Sequence, residues 1–395
     1  MGLGVSAVDR VHKRVSGTLG LHTNLRVLYL VPYLNRGGTE RHLIDLVRTV
    51  VWKQPPWVLA PDGPSRPVLE ELATWIPVPP MSLSVRSIAS WAAAFDRSVK
   101  QFRPDLIHVH AGVELLWATR RIAPECPRVF TVHGYHGRGA GLSYWLAGVL
   151  GGKLARRVIA VCRSEAAKLR TVPSDRLRVI LNGVSDTRTG DPPEVPGIPS
   201  DAVVVAVASR IEQPKGVDLV VEAFLRTVQR RVPVIGKTGK PTRAHLVIMG
   251  TGSQEQALRR RVVEAGVEGY VHMVGYEPRA SAYFQRADIV VQTSRQDALP
   301  LTVAEAMAAG TAVVVSDAGG LPELVQDGKS GRVVPRERVE PLAQVLSELL
   351  TNPEQRKILG HAARQRYEAL FTLERFVRET LDVYRELVAA DCSVD

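Results

Sequence analysis

The chain has 395 residues, of which 45% are hydrophobic and 23% charged, and its formal net charge is +11. A chain of this length is larger than a domain with a single hydrophobic core usually is, and it predicts two or three globular domains. The sequence contains no run of about 18 apolar residues, which is the length that a membrane-spanning helix needs. The scattered cysteines, Cys126, Cys162 and Cys392, argue against a disulfide framework or a cysteine metal site and predict a reducing cytoplasm.

The charge is concentrated in the first half of the chain. Residues 1–190 contain 26 Lys and Arg against 13 Asp and Glu, whereas the remainder contains 25 against 27. A net charge of +13 on one half indicates an anionic partner, such as a membrane surface or a phosphorylated acceptor. A merely soluble basic surface explains the same count, and both interpretations stay open.

The elements of residues 25–190 predict a Rossmann-like domain. Residues 1–24 are expected to be a flexible extension, because charged residues interrupt any signal-peptide core. The segment 25–31 predicts a buried strand, followed by a glycine turn at Gly37-Gly38 and a helix capped by Thr39. Further strands are predicted at residues 106–110, 128–133, 157–161 and 178–181. Alternating strands and helices favour a parallel sheet.

A second series of elements follows a linker rich in proline and glycine between Asn182 and Ser200. We place the domain boundary there, so that residues 191–370 form the second domain. Its strands are predicted at residues 202–207, 245–250, 270–275, 288–291 and 312–315. Residues 341–390 predict helices with a break near Phe371-Thr372, and residues 371–395 are expected to pack back on the first domain.

This order predicts an α/β protein with two doubly wound domains around a cleft. In open parallel sheets, ligands bind at the carboxyl ends of the strands. Arg210 and Lys215 follow the first strand of the second domain, and two cations there suit a diphosphate. A surface turn explains the two cations equally well.

An acidic pair follows a later strand of the second domain. Asp297 is expected in a loop, and Glu305 early in a helix that begins near Leu301. The amides of a helix N-terminus can bind phosphate, and Glu305 could accept hydrogen bonds from a ribose diol. The alternative is that Glu305 only interacts favourably with the helix dipole.

The ordered set of motifs over roughly residues 25–385 resembles the family-4 retaining glycosyltransferases, which have the GT-B fold. The matching motifs are Gly37-Gly38, Thr131-Val132-His133-Gly134, Ser209-Arg210 with Lys215-Gly216, and Asp297 with Glu305-Ala306-Met307-Ala308-Ala309-Gly310 before Gly319-Gly320. The resemblance implies an enzyme that moves a sugar from a nucleotide-sugar with retention of configuration, with no metal and no cofactor.

The resemblance also implies a role for each matching position. Arg210 and Lys215 would hold the diphosphate, Glu305 the ribose, and His133 the donor sugar. Further donor contacts are implied for the backbone near Gly37, Gly38, Ala298, Leu299 and Leu301, and for Val274 and Gly275 near the nucleobase. His110 would lie on the acceptor side. His110 and His133 are also the candidates for a general base, although a histidine at a strand end is more often structural.

Two positions depart from the family pattern. Asp297 stands where the family usually has Glu, and Ala298 stands where Gly is common. The side chain of Asp297 is one methylene shorter than that of Glu. This change puts the contacts to the donor sugar in doubt more than it does the contacts to the diphosphate.

The expected function is transfer of a hexose from a UDP- or GDP-sugar to a carbohydrate or lipid-linked acceptor in cell-surface polysaccharide or glycolipid synthesis. The alternative is a non-catalytic GT-B protein that binds sugar-nucleotide. Residues 142–150, beside Lys153, Arg156 and Arg157, suit either an interfacial helix or a helix that covers the sheet. We expect a cytoplasmic protein, peripheral on an anionic membrane, with no nucleic-acid partner.

Overall fold

The computed structural model describes residues 21–82, 84–135, 139–188 and 197–391. The predicted extension lies outside the described residues as far as residue 20. Its last part is not an extension, because His22–Thr23 form a short strand that pairs in parallel with Val51–Trp52. The boundary predicted at residues 190 and 191 also lies outside the described residues and stays a prediction.

Fifteen strands occur in the described residues. In chain order they are β1 (His22–Thr23), β2 (Val27–Leu30), β3 (Val51–Trp52), β4 (Trp57–Ala60), β5 (Thr74–Pro77), β6 (Leu106–His110), β7 (Arg128–Val132), β8 (Arg157–Ala160), β9 (Leu177–Val179), β10 (Val203–Ala208), β11 (Ala244–Met249), β12 (Val271–Gly275), β13 (Ile289–Gln292), β14 (Ala312–Ser316) and β15 (Arg332–Val334).

The α-helices of the described residues alternate with these strands. They are α1 (Gly38–Thr49), α2 (Arg66–Glu70), α3 (Val85–Phe102), α4 (Val113–Ile122), α5 (Ala140–Leu154), α6 (Arg163–Ala166), α7 (Val217–Gln229), α8 (Glu255–Glu264), α9 (Ala280–Tyr283), α10 (Leu301–Ala309), α11 (Leu321–Leu324), α12 (Val339–Thr351), α13 (Pro353–Leu370) and α14 (Leu373–Asp391). A 3-10 turn spans Gln213–Lys215.

Two large parallel sheets organise the molecule. The first has the order β5-β4-β2-β6-β7-β8-β9, and the second has the order β12-β11-β10-β13-β14-β15. Strand β10 illustrates why both faces of the second sheet are covered. Val203 and Val205 face a core built with α7 and α12, whereas Val204 and Ala206 face another core built with α10 and α13. Side chains that alternate between two apolar layers produce a doubly wound domain, so the predicted fold class is confirmed.

Helix α14 returns from the second domain to the first sheet. The Tyr384 hydroxyl lies 3.3 Å from the Tyr29 hydroxyl and 2.5 Å from His108 Nδ1. The Phe376 ring lies 4.5 Å from the ring of His42. These contacts bring the end of the chain beside the carboxyl edge of the first sheet.

Two local predictions were wrong. Thr39 does not cap α1, because the helix begins one residue earlier and Gly37 occupies the cap position. The C-terminal helices break at Asn352 as well as at residues 371–372, and the Asn352 side chain accepts a hydrogen bond from the Gln355 amide as an N-cap.

Candidate active site in the interdomain cleft

Lys215 and Asp297 form an ion pair at the carboxyl edge of the second sheet. Lys215 Nζ lies 2.7 Å from Asp297 Oδ2, and the side chains are 17% and 10% exposed. The same carboxylate oxygen accepts a hydrogen bond of 2.9 Å from Ser294 Oγ, which in turn accepts one of 2.8 Å from Gln292 Nε2. This chain of hydrogen bonds fixes the ammonium group of Lys215 in a largely dehydrated position.

Two glycines allow the loops of this ion pair to approach the sheet. Gly216 has φ +67°, and a Cβ there would lie 2.0 Å from the carbonyl oxygen of Thr293. Gly319 has φ +54°, and a Cβ there would lie 1.8 Å from the carbonyl oxygen of Asp297. Only glycine fits such a left-handed, crowded backbone. The two glycines therefore let the loops around Lys215 and Asp297 pack closely at the edge of the sheet.

Arg210 faces Glu40 of the first domain across the cleft. Arg210 is exposed, whereas Glu40 is buried in the first turn of α1. Burial raises the pKa of Glu40, while nearby backbone amides and the charge of Arg210 partly oppose that rise. Glu40 Oε1 has no hydrogen-bond partner although it is buried. A positive charge therefore lies near a buried carboxylate oxygen without a hydrogen-bond partner, beside the glycine loop.

Glu305 lies in the second turn of α10 and is buried. Burial raises its pKa to about 7, and the neighbouring Arg41 of the first domain opposes the shift while Asp45 adds to it. Arg41 is itself paired with Asp45 at 2.7 Å. Glu305 therefore lies at the contact between the domains, where a small change in surroundings changes its charge near neutral pH.

The loop that joins Asp297 to α10 is also an interdomain contact. Ala298 and Leu299 are buried, and the carbonyl oxygen of Leu299 accepts a 3.1 Å hydrogen bond from Asn182 Nδ2. Leu301 begins α10 after Pro300. The amides of that first turn have no intrahelical acceptors, as in any helix, and they are available to an anion.

The glycine loop offers space on one side. A Cβ on Gly38 would meet nothing within 4 Å, whereas a Cβ on Gly37 would lie 2.9 Å from Glu40 Oε2. Val274 and Gly275 end β12, and the exposed Tyr276 beyond them lies under the guanidinium of Arg36 at 4.9 Å. The glycine loop and the end of β12 therefore approach each other across the cleft.

Four histidines gather at the carboxyl edge of the first sheet. His133 is half-buried, and its Nε2 lies 3.1 Å from Nδ1 of the fully buried His110. His42 packs edge-on against His133 with ring centroids 4.6 Å apart, and His108 lies behind His110. The structure thus places His133 on the cleft wall and His110 behind it, which suits His110 for positioning His133 more than for touching an acceptor.

Several residues of this cleft were not predicted from the sequence. His42, Asn182, Glu40, Arg41 and Ser294 all touch or face the predicted residues. His42 lies four residues after Gly38, one helical turn into a helix that starts at the cleft, and that position was a usable signal. Asn182 carried no such signal, because its role depends on the contact between the domains.

The outer surface of the first domain carries an apolar face. Helix α5 covers the sheet on one side, where Gly151 lies against Phe130, and exposes Leu142 (64%) and Trp145 (55%) on the other. Trp117 of the neighbouring α4 is 54% exposed, with Arg121 5.2 Å above its ring. The structure confirms that this helix covers the sheet, and its role as an interfacial helix stays a prediction. None of the helices in the described ranges is long and apolar enough to cross a bilayer.

Comparisons with known proteins show the family of the chain. The model of Glycosyltransferase Family 4 matches residues 36–188, and that of Glycosyl transferases group 1 matches residues 191–366. The chain belongs to the family-4, group 1 glycosyltransferases. A D-inositol 3-phosphate glycosyltransferase of Saccharomonospora viridis is 33% identical over 202 residues, which are 49% of this chain and 45% of that relative. The chain thus spans less than half the length of this curated relative.

Solved structures share the fold over nearly the whole chain. A glycosyltransferase from Rickettsia africae has a TM-score of 0.76 at 18% identity and covers 93% of this chain and 99% of its own. The Anabaena protein HepE in complex with UDP-glucose has a TM-score of 0.74 at 20% identity and covers 91% and 100%. These similarities, together with the two facing Rossmann-like domains, confirm the predicted GT-B fold.

Proposed function

We propose that the chain is a retaining hexosyltransferase that uses a UDP- or GDP-sugar as donor. The observation that carries this proposal is the Lys215–Asp297 ion pair at the carboxyl edge of the second sheet. Arg210 and Glu305 of the same domain lie near Glu40 and Arg41 of the first domain. HepE, which has the same fold, was crystallised with UDP-glucose, and this supports a nucleotide-sugar as the ligand of the cleft.

The proposed reaction rests on the two cations. Arg210 and Lys215 bind the diphosphate and stabilise the negative charge that develops as it leaves. The acceptor hydroxyl attacks the anomeric carbon from the face that the diphosphate leaves, and the leaving phosphate takes the hydroxyl proton. Because the protein's own cations hold the diphosphate, the reaction needs neither a metal nor a cofactor. The configuration of the product, read from its anomeric proton coupling, tests retention.

The resemblance to the family implies the remaining donor contacts. Glu305 binds the ribose, the amides of Leu299 and Leu301 face the phosphates and sugar, and His133 contacts the sugar from the opposite wall. Ala298 shapes the loop between them. Because they have no side chains, Gly37 and Gly38 let the donor and the acceptor approach the backbone closely. Val274 and Gly275 lie beside the nucleobase.

The first experiment is a thermal stabilisation screen of UDP- and GDP-sugars. A ligand that binds only the native state raises the melting temperature, so a true donor is recognised before its acceptor is known. Nucleotide release is then measured with carbohydrate and lipid-linked acceptors. A panel in which no nucleotide-sugar stabilises the protein would refute the proposal.

The second candidate function is a non-catalytic sugar-nucleotide binder. It is favoured by one observation, the engagement of the Asp297 carboxylate by Lys215 at 2.7 Å, which leaves this shorter acid less able to reach a sugar. Stabilisation by a nucleotide-sugar without release of nucleotide in the presence of any acceptor would support this candidate.

We expect Glu305→Gln to weaken nucleoside diphosphate binding about 10- to 100-fold and to remove a pH dependence. Ribose hydroxyls donate to the charged carboxylate, and losing a hydrogen bond to a charged group costs about 1.5–3 kcal/mol. Since the pKa of Glu305 is about 7 in the free protein, the carboxyl must lose a proton on binding. Wild-type affinity should therefore fall below pH 7.

Isothermal titration of UDP and GDP at pH 6 and pH 8 measures this dependence. The nucleotide phosphates titrate identically in the experiments with both proteins. The difference in pH dependence of the affinity between wild type and Glu305→Gln therefore reports the titration of Glu305 alone. Equal pH dependence in the two proteins would contradict the assignment of Glu305 to the ribose.

We also propose that the acceptor is reached at a membrane surface on the cytoplasmic side. The exposed face formed by Trp117, Leu142 and Trp145 lies in the half of the chain, residues 1–190, that has a net charge of +13, and this combination suits an anionic bilayer. Trp145→Ala combined with Leu142→Ser should reduce binding to vesicles with phosphatidylglycerol by about tenfold in a flotation assay.

The control for this docking surface is Val263→Ser, which removes an exposed apolar side chain from the second domain. It should leave vesicle binding unchanged. Equal binding of the wild type to neutral phosphatidylcholine vesicles would contradict the proposed attraction between the basic half of the chain and anionic lipids. Full binding by the double variant would show that this apolar face is not the docking surface.

A further inference from the structure

Three histidines from three different elements converge on the cleft wall of the first domain. His42 comes from the second turn of α1, His110 ends β6, and His133 follows β7. One ring nitrogen of each lies within 4.8 Å of one ring nitrogen of the other two. Imidazole nitrogens gathered from separate elements are the usual ligands of zinc and related ions in proteins.

Two of the nitrogens already have nearly the separation that a metal requires. His110 Nδ1 and His133 Nε2 are 3.1 Å apart. Two nitrogens bound to one tetrahedral zinc ion at about 2.05 Å each are about 3.3 Å apart. An ion could therefore replace the shared proton between these rings with only a small side-chain shift.

The hydrogen bonds of His42 leave its second nitrogen available. His42 Nδ1 lies 2.9 Å from Asn182 Oδ1, and Asn182 Nδ2 donates to the carbonyl oxygen of Leu299 at 3.1 Å. Since the amide nitrogen must face that carbonyl, its oxygen faces His42 and fixes the proton on Nδ1. The Nε2 lone pair is then free to bind a metal, and Asn182 orients the ring as an outer hydrogen-bond partner does in metal sites.

His110 has an unpaired nitrogen in the interior. Its Nε2 is buried without a hydrogen-bond partner. An unpaired buried polar atom is costly and calls for an explanation. His110 Nδ1 shares a proton with His133 Nε2 at 3.1 Å. For both of these nitrogens to bind one ion, each ring must carry its proton on the other nitrogen, which for His110 is the unpartnered Nε2.

We propose that His42, His110 and His133 form a binding site for one divalent transition-metal ion of the zinc, cobalt and nickel class. Three histidine ligands leave the fourth position of a tetrahedral ion for water, and His133 is the half-buried member of the three. Magnesium and calcium prefer oxygen ligands and do not suit this site. The inference does not rest on the proposed function, because an ion on His133 Nε2 would take the place of the contact that we propose between His133 and the donor sugar. Binding is measured without any sugar substrate.

Cobalt is the probe, because its visible absorption reports coordination by nitrogen in a four-coordinate site. The full chain, without a histidine tag and stripped by a chelator, is titrated with Co²⁺. We expect one ion per chain, intense visible bands, and their loss when one equivalent of Zn²⁺ is added. Failure of the wild-type chain to bind one ion with these bands would overturn the proposal by itself.

Variants locate the ion. His42→Gln and His110→Gln should each weaken binding at least tenfold. His272→Gln is the matched control, because His272 Nε2 lies 2.9 Å from His245 Nδ1 in a two-histidine pair of the second domain. Binding that survives His42→Gln, or that is lost in His272→Gln, would place the ion elsewhere. If melting curves show that a buried variant is unfolded, the half-exposed His133→Gln is used in its place, with the same expected loss.

Discussion

Lys215→Ala is expected to lower the rate of sugar transfer about a thousandfold or more while the chain stays folded. Lys215 Nζ is held at 2.7 Å by Asp297 in a position that is only 17% exposed. A positive charge fixed in a dehydrated site stabilises a leaving diphosphate without reorganisation, and removing one such group typically costs about 10²–10³ in rate, or more for phosphate-stabilising cations.

The fold should survive this change. In Lys215→Ala, the Asp297 carboxylate still accepts from Ser294 Oγ at 2.9 Å, although an ion left without its partner costs some stability. Lys215→Met with Asp297→Asn removes both charges and controls for that cost. Arg230→Ala, which breaks an exposed ion pair with Glu340 at 2.9 Å, is the control for charge and should keep full activity. Normal nucleotide release by Lys215→Ala would refute the assignment of this residue.

Acidification is expected to destabilise the chelator-treated protein through the histidines of the first domain. Burial among aromatic rings lowers the pKa of His42 to about 4 from 6.5. Between these values the unfolded chain binds a proton that the folded chain does not bind, so the free energy of unfolding falls as the pH falls from about 6.5 to 4. His42 alone contributes a loss of about 3 kcal/mol over that interval. Burial lowers the pKa of His108, His110 and His133 in the same direction.

Buried carboxyl groups act in the opposite direction. Burial raises the pKa values of Glu305, Glu40 and Asp45, so their folded forms retain protons that the unfolded forms lose as the pH rises. A comparison between variants separates the two effects. The free energy of unfolding is measured by urea denaturation at pH 8, 6 and 4.5. Its fall between pH 8 and pH 4.5 should be smaller by about 3 kcal/mol in His42→Gln than in the wild type. His361→Gln, on the exposed side of α13, should match the wild type. A His42→Gln variant with an unchanged pH dependence would contradict the explanation.

The fold could be predicted well from the sequence because parallel strands buried on both faces are continuous apolar runs. The run Val203–Ala208 is such a strand, and its alternate residues enter two cores. Element ends were predicted less well. Gly37 caps α1 in place of Thr39, and Asn352 interrupts the C-terminal helices.

The site could be predicted only as far as its local motifs. Arg210, Lys215 and Asp297 lie in the segments that follow strands, and Glu305 lies in the helix after the second of these segments. Such positions can be recognised without a structure. The direct ion pair of Lys215 with Asp297 could not be derived, because it depends on how closely Gly216 and Gly319 let two separate loops approach.

The cluster of His42 with His110 and His133 could not be derived either, since it joins three elements that are distant in the sequence. Asn182 contacts His42 on one side and Leu299 on the other only because the two domains meet there.

A crystal structure of the chain with bound nucleoside diphosphate, UDP or GDP, tests the account most directly. We predict that the diphosphate lies between Arg210 and Lys215, within hydrogen-bond distance of Lys215 Nζ, and that the ribose hydroxyls donate to Glu305. A nucleotide bound away from the carboxyl edge of the second sheet, with these side chains turned from it, would contradict the account.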